Sequence, residues 1–192
     1  MRRLHTASGL MVFSAALAIA VTGGCDDAPA PLPQGGWSLT FTSAGGTCNI
    51  NSHNASVGEV SQSTATKLVQ QGQNSADVTC AVTPVTGGFS VEGNASSGGA
   101  SLSITIPAIS SAAVFGSGVP GSLAFISTKT QNVFASPTST PCNFYFSDPA
   151  EGVSAGAIWV AFDCPKVVYN SHECGISTGF AKFVNCDGAV LD

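Results

Sequence analysis

From Trp37 onward, apolar and hydroxyl-bearing residues alternate with period two. Trp37, Leu39 and Phe41 are separated by Ser38, Thr40 and Thr42, which puts three large apolar groups on one face of a strand and hydroxyls on the other. The same alternation returns at Val78, Cys80 and Val82, at Phe89 and Val91, and at Leu102, Ile104 and Ile106. Each run predicts a half-buried strand. Further strands are expected over residues 57–61, 66–71, 121–128, 142–147, 155–163 and 176–185. Turn chemistry lies between them: Thr83-Pro84-Val85-Thr86-Gly87-Gly88 follows Val82, and residues 93–100 are rich in Asn, Ser and Gly, so neighbouring strands read as antiparallel hairpins.

The last two strands carry most of the large side chains. Residues 157–162 are apolar on both faces, as expected for a central strand covered by core on one side and by a loop or second layer on the other. The partner, residues 179–184, returns after a loop bounded by Cys164 and Cys174. Over residues 55–74, Val60, Thr64, Lys67, Leu68 and Gln71 fall at helical spacing, but the apolar stripe is too thin to bury, so the segment is read as β or irregular. Short strands in succession, without βαβ alternation or a fixed repeat, predict an all-β chain. We expect a single antiparallel β-sandwich over residues 37–192, with jelly-roll or Greek-key connections.

The first 25 residues follow a different pattern. Arg2 and Arg3 precede an uncharged apolar stretch from Leu10 to Val21, and small residues lead to a cysteine. This is the order of a secretory signal peptide. At about a dozen residues the apolar stretch falls short of the roughly 20 that a helix needs to cross a hydrocarbon core. Val21-Thr22-Gly23-Gly24-Cys25 resembles the lipobox of bacterial lipoproteins, with Thr22 where Leu is usual. The resemblance implies removal of residues 1–24, diacylglycerol on the Cys25 thiol and an acylated new amino terminus. It also implies a cell-membrane or outer-membrane location with the domain in the periplasm or on the cell surface. Asp26 directly after the cysteine tends in that family to favour the inner membrane of enteric bacteria; other lineages use other rules, and the leaflet stays open. Residues 25–36, with Pro29, Pro31 and Pro33 among small residues, are expected to form a tether, reaching about 30 Å if extended as polyproline II.

Charge narrows the partners. Beyond the leader only Lys67, Lys129, Lys166 and Lys182 are basic, against eleven carboxylates in the chain. Four scattered lysines do not neutralise a phosphate backbone, so no nucleic-acid partner is expected. Seven cysteines divide into Cys25 and an even set: Cys48, Cys80, Cys142, Cys164, Cys174 and Cys186. In an oxidising compartment an even set reads as disulfides, and six cysteines allow fifteen connectivities. A hairpin centred near Tyr169 would oppose Cys164 and Cys174 across its neck, which favours that bridge. Cys48–Cys80 and Cys142–Cys186 are the simplest remainder.

Several residues invite a chemical reading. Gly152-Val153-Ser154-Ala155-Gly156 matches G-x-S-x-G, with Asp163 and His172 following in the order of an α/β-hydrolase triad. A nucleophile elbow must join a strand to a helix, and here a strand follows, so catalysis by Ser154 is not expected. His172, Glu173 and Cys174 beside Cys164 resemble metal ligands, but oxidised thiols do not ligate zinc, and His53 reads as a turn residue. Glu59, Glu92, Asp148, Glu151, Asp163 and Glu173 form no acid pair on one strand with aromatics around it, as a glycosidase needs. Asn54-Ala55-Ser56 and Asn94-Ala95-Ser96 fit the glycosylation sequon and, in the bacterium that the lipobox resemblance implies, read as turn chemistry. No catalytic residue, metal or cofactor is expected. The functional expectation is an envelope or surface interaction or structural role, with the lipid membrane and a glycan or envelope protein as partners. The alternative is a carbohydrate- or ligand-binding module, with Tyr145 and Tyr169 as exposed platforms, and a small hydrolase stands behind it.

Overall fold

The computed structural model describes residues 29–43 and 46–187. The expected leader and lipidated Cys25 lie outside the described residues. The described chain is almost entirely β: β1 (Gln34–Thr42), β2 (His53–Val57), β3 (Glu59–Val60), β4 (Ala65–Lys67), β5 (Val69–Gln70), β6 (Asp77–Val85), β7 (Gly88–Ser97) and β8 (Ala100–Ile109). It continues with β9 (Val119–Ile126), β10 (Phe134–Ala135), β11 (Cys142–Tyr145), β12 (Gly152–Ser154), β13 (Ala157–Tyr169) and β14 (His172–Val184). The only helical turn among the described residues is a 3-10 turn at Gln73–Ser75.

One long antiparallel sheet runs β2-β1-β14-β13-β10-β9-β8-β7-β6, while β3 and β4 form a separate small ladder. The long sheet folds over on itself as a β-sandwich. Its first layer is β2, β1, β14 and β13, its second is β9, β8, β7 and β6, and the short β10 and β11 bridge from β13 to β9 at the corner. The connections are simpler than the jelly-roll or Greek-key order expected, because β6 to β9 is a meander of consecutive hairpins and the first strand pairs with the last.

Alternation explains the core. Trp37, Leu39 and Phe41 point inward from β1, Leu102, Ile104 and Ile106 from β8, and Ile158, Val160 and Phe162 from β13. The Trp37 indole N–H donates to the Ala95 carbonyl of the opposite layer at 2.9 Å, satisfying the polar atom of a fully buried ring. Phe183 of β14 lies over Gly93 of β7, where a Cβ would come within 2.8 Å of the ring. Beyond β14, Asp187 bridges to Ala81, its carbonyl accepts from Val82 N–H at 2.9 Å and its N–H donates to Cys80 at 3.0 Å. The C-terminal chain therefore covers the open edge of β6 and leaves it no free ladder there.

Three expectations change. First, the strand expected at Trp37 begins at Gln34, inside the segment read as tether, because Gly35 and Gly36 pair with Phe183 and Lys182 although they lack side chains to reveal the alternation. Leu32 and Pro33 are also held, their carbonyls accepting from Asn185 Nδ2 and from Gln71 N–H. Second, the 164–174 loop is the end of one long hairpin, in which Tyr169 pairs with His172 and Asn170 (φ 52°) supplies the left-handed turn residue. Third, the disulfides are Cys48–Cys174, Cys80–Cys186 and Cys142–Cys164, not 164–174, 48–80 and 142–186. The hairpin register gives the reason: Cys164 opposes Ile176 and Cys174 opposes Val167, so these two cysteines are not cross-strand neighbours. Cys142 instead faces Cys164, because Asn143 pairs with Asp163 on the adjacent β11. Cys48, in the loop between β1 and β2, reaches Cys174 where Thr47 accepts hydrogen bonds from His172 Nδ1 and Glu173 N–H.

Candidate functional site

The central strand β13 is covered on both faces, as its sequence predicts. On its outer face Trp159 donates to the Ser61 carbonyl at 3.3 Å, and the Lys182 ammonium sits 4.1 Å from the indole centre. Further along the same face Ala161 is flanked by Tyr145 on β11 and Phe180 on β14. The cover over this end of the face comes from the loop between β8 and β9.

That loop is a built feature. Phe146 N–H donates to the Ala113 carbonyl, Val114 bridges to Phe146, and Ser117 N–H donates to the Val114 carbonyl at 2.9 Å. Residues 114–117 thus form a β-turn whose third residue, Gly116, has φ 86°, the left-handed value a type II turn needs and glycine adopts freely. Phe115 is carried at the tip. Its ring is 75% exposed and packs edge-on against Tyr145, with centroids 5.2 Å apart and planes at 74°. Tyr145, expected as an exposed platform, is only 6% exposed because Phe115 lies against it. Tyr169 is half-buried against Phe134, 5.9 Å between centroids. Among the described residues the exposed aromatic is therefore Phe115, which shows no alternation with neighbours in the run Ala112-Ala113-Val114-Phe115-Gly116-Ser117. Its one sequence signal is a bulky ring inside a small-residue turn, where it has no core to enter.

Phe115 and Tyr145 head a groove of about 580 Å³, also lined by Thr42, Asp163, Pro165, Ser177 and Thr178. A second depression of about 310 Å³ adjoins it through the shared Thr178 and is floored by Ser38, Thr40, Asn54, Ser56 and Phe180. Desolvation raises the Asp163 pKa above the ordinary carboxylate range, partly opposed by the Asn143 amide. Desolvation, then the Asp163 and Glu151 carboxylates, raises the Tyr145 phenol. Glu151 is itself raised by desolvation, although it accepts hydrogen bonds from the N–H groups of Ser147 and Asp148 and from the Ser147 hydroxyl. That carboxylate ties the loop between β11 and β12.

These two acids set a pH dependence of stability. A carboxyl whose pKa is higher in the folded chain binds its proton more tightly there, so its contribution is greatest at low pH and is lost as pH rises from about 4 through the raised value. The urea midpoint of the wild type should therefore fall between mildly acidic and neutral pH relative to Glu151→Gln/Asp163→Asn. Parallel pH profiles for the two proteins would contradict this.

The other sequence candidates are not brought together. Ser154 pairs with Ala157 and His172 with Tyr169, at opposite ends of the 13-residue β13. At roughly 3.3 Å per residue they stand on the order of 40 Å apart, so the triad geometry is not formed. His53 is buried rather than a surface turn residue; its Nδ1 faces the Asn51 carbonyl at 2.9 Å and its Nε2 the Ser127 hydroxyl at 3.1 Å, joining β2 to the loop after β9. Among the described residues no group of three or more His, Cys, Asp or Glu is arranged to hold a metal ion. Likewise, among the described residues no helix is long and apolar enough to cross a membrane. Three disulfides suit an extracellular or periplasmic domain. Comparison of the chain with protein-family models, with curated proteins and with solved structures finds no match in any of the three.

Proposed function

We propose that the protein is an exported lipoprotein, held to a membrane through acylated Cys25, whose disulfide-fixed β-sandwich works in the envelope by binding a partner in the Phe115 groove. The observation that carries the binding reading is the Phe115 ring itself. A large aromatic side chain held three-quarters exposed by a hydrogen-bonded turn, beside hydroxyls and one carboxylate, is a contact surface waiting for a ligand. Strands on either side of the groove are fixed by Cys142–Cys164 and Cys48–Cys174, so binding costs little ordering.

Support for the anchor lies in residues 1–25, where a basic start, an apolar run and a small-residue approach to Cys25 follow in order. Cys25→Ser is expected to move the protein from the detergent-extracted membrane fraction to the soluble fraction and to abolish palmitate labelling. A variant that stays in the membrane and keeps the label would overturn the anchor. For the binding role the corresponding variant is Phe115→Ala: pull-down of envelope fractions by the wild type should recover material that the variant does not retain.

A further inference from the structure

The chemistry of the groove selects among ligands. Its lining residues include one carboxylate, Asp163, and no Lys, Arg or His to meet an anion. The strands beside Phe115, β11, β13, β14 and β1, are each paired on both sides, so an extended peptide finds no open edge to join there. What it offers is an exposed ring beside hydroxyl and carboxylate acceptors.

We propose that the groove binds a neutral oligosaccharide, with one sugar ring laid against Phe115 and its hydroxyls hydrogen-bonded to Asp163, Thr42 and Thr178. The assignment rests on reading the groove as the ligand-binding side of the domain. A pyranose ring matches the lining because it has an apolar C–H face and a rim of hydroxyls: the face covers the aromatic ring, and the rim donates to carboxylate and hydroxyl oxygens. Asp163 accepts two such bonds in a partly desolvated place, where each counts for more than in water. An acidic sugar is rejected by the same carboxylate.

The second depression sets the ligand's length. It continues from Thr178 over Thr40 to Asn54, residues that lie in one row across β14, β1 and β2. Phe180 and Ser38 form the adjoining row. At about 4.8 Å per strand, the path from β11 across β13, β14 and β1 to β2 is roughly 19 Å. A chain of several sugars running across the strands fits this floor, whereas a monosaccharide would leave most of it empty.

The test uses the mature protein in detergent, screened on an array of neutral oligosaccharides and then titrated calorimetrically with the tetrasaccharides retained. Phe115→Ala should lower affinity at least tenfold with an unchanged melting temperature, since the ring is largely outside the core. Asp163→Asn should weaken binding several-fold, and Thr40→Ala should weaken the tetrasaccharide more than the corresponding disaccharide. Retention of no neutral sugar, or titrations unaffected by Phe115→Ala, would overturn the assignment. A proline-rich decapeptide and an oligogalacturonate are titrated alongside. If either binds in a Phe115-dependent way while no neutral sugar does, the neutral-sugar assignment falls and the groove remains the binding side. If no titrated compound depends on Phe115, both readings fall.

Discussion

Replacing Cys80 and Cys186 together by serine is expected to lower the free energy of unfolding by about 4 kcal/mol. The bridge spans 106 residues of sequence, for which chain entropy alone would give about 5 kcal/mol. Cys48–Cys174 remains closed in that variant and already shortens the path between the two positions, which brings the expected loss down. The Cys142→Ser/Cys164→Ser pair should cost about 3 kcal/mol, because it spans only 22 residues and joins strands already paired in β11 and β13. Urea unfolding of each double variant measures the difference. Connectivity is read separately by tryptic mapping without reduction, since cleavage at the four lysines beyond the leader isolates the cysteines well. Residues 68–129 should be linked to 183–192, the peptide ending at Lys67 to 167–182, and residues 130–166 should hold their disulfide internally. A crosslink between 130–166 and 167–182 would mean that Cys174 pairs with Cys142 or Cys164 and would overturn this connectivity.

Reading strands from the sequence succeeded where large inward residues alternate with polar outward ones, and missed β2, where His53, Asn54, Ala55 and Ser56 read as turn chemistry but pair with β1. In β1, β6, β8 and the first half of β7 large inward residues alternate with polar outward ones, so period two is visible directly, whereas the second half of β7, over residues 93–97, is strand where the sequence reads as turn, because its inward residues Gly93 and Ala95 are small. It failed for β10 and β12, which are two and three residues long and too short to alternate. Disulfide pairing was illegible for a different reason. It depends on absolute register, and placing the hairpin centre near Tyr169 instead of between Asn170 and Ser171 is enough to bring the wrong cysteines opposite one another. Tyr145 shows a third limit: in a strand it stands opposite Phe144, but parity says which face a side chain takes, not whether a loop covers that face. The covering residue, Phe115, sits in a turn where periodicity carries no information, and a ring that points outward leaves no pattern inward.

Gly179→Ala tests a close ring-on-glycine contact in the sheet and is expected to cost about 3 kcal/mol, at the upper end for an added methyl. Gly179 on β14 pairs directly with Phe162 on β13, whose fully buried ring lies across the glycine, and a Cβ there would stand 2.2 Å from the Phe162 Cζ. The ring cannot simply swing aside. Its other side meets Phe144 at 5.7 Å between centroids, and Phe144 in turn lies over Gly121, where a Cβ would be 2.7 Å from the ring. Two rings are thus laid between two glycines across neighbouring strands, an arrangement in which the aromatic covers the backbone that glycine leaves bare. If this is the source of the cost, shortening the ring should relieve it. Phe162→Leu alone is expected to lose about 1.5 kcal/mol, yet combined with Gly179→Ala the total should fall short of the sum by about 1 kcal/mol or more. Urea midpoints for the four proteins of this cycle give the coupling. Strict additivity would show that the Phe162 ring does not occupy the space above Gly179, and that the inner face of the β13–β14 hairpin packs differently.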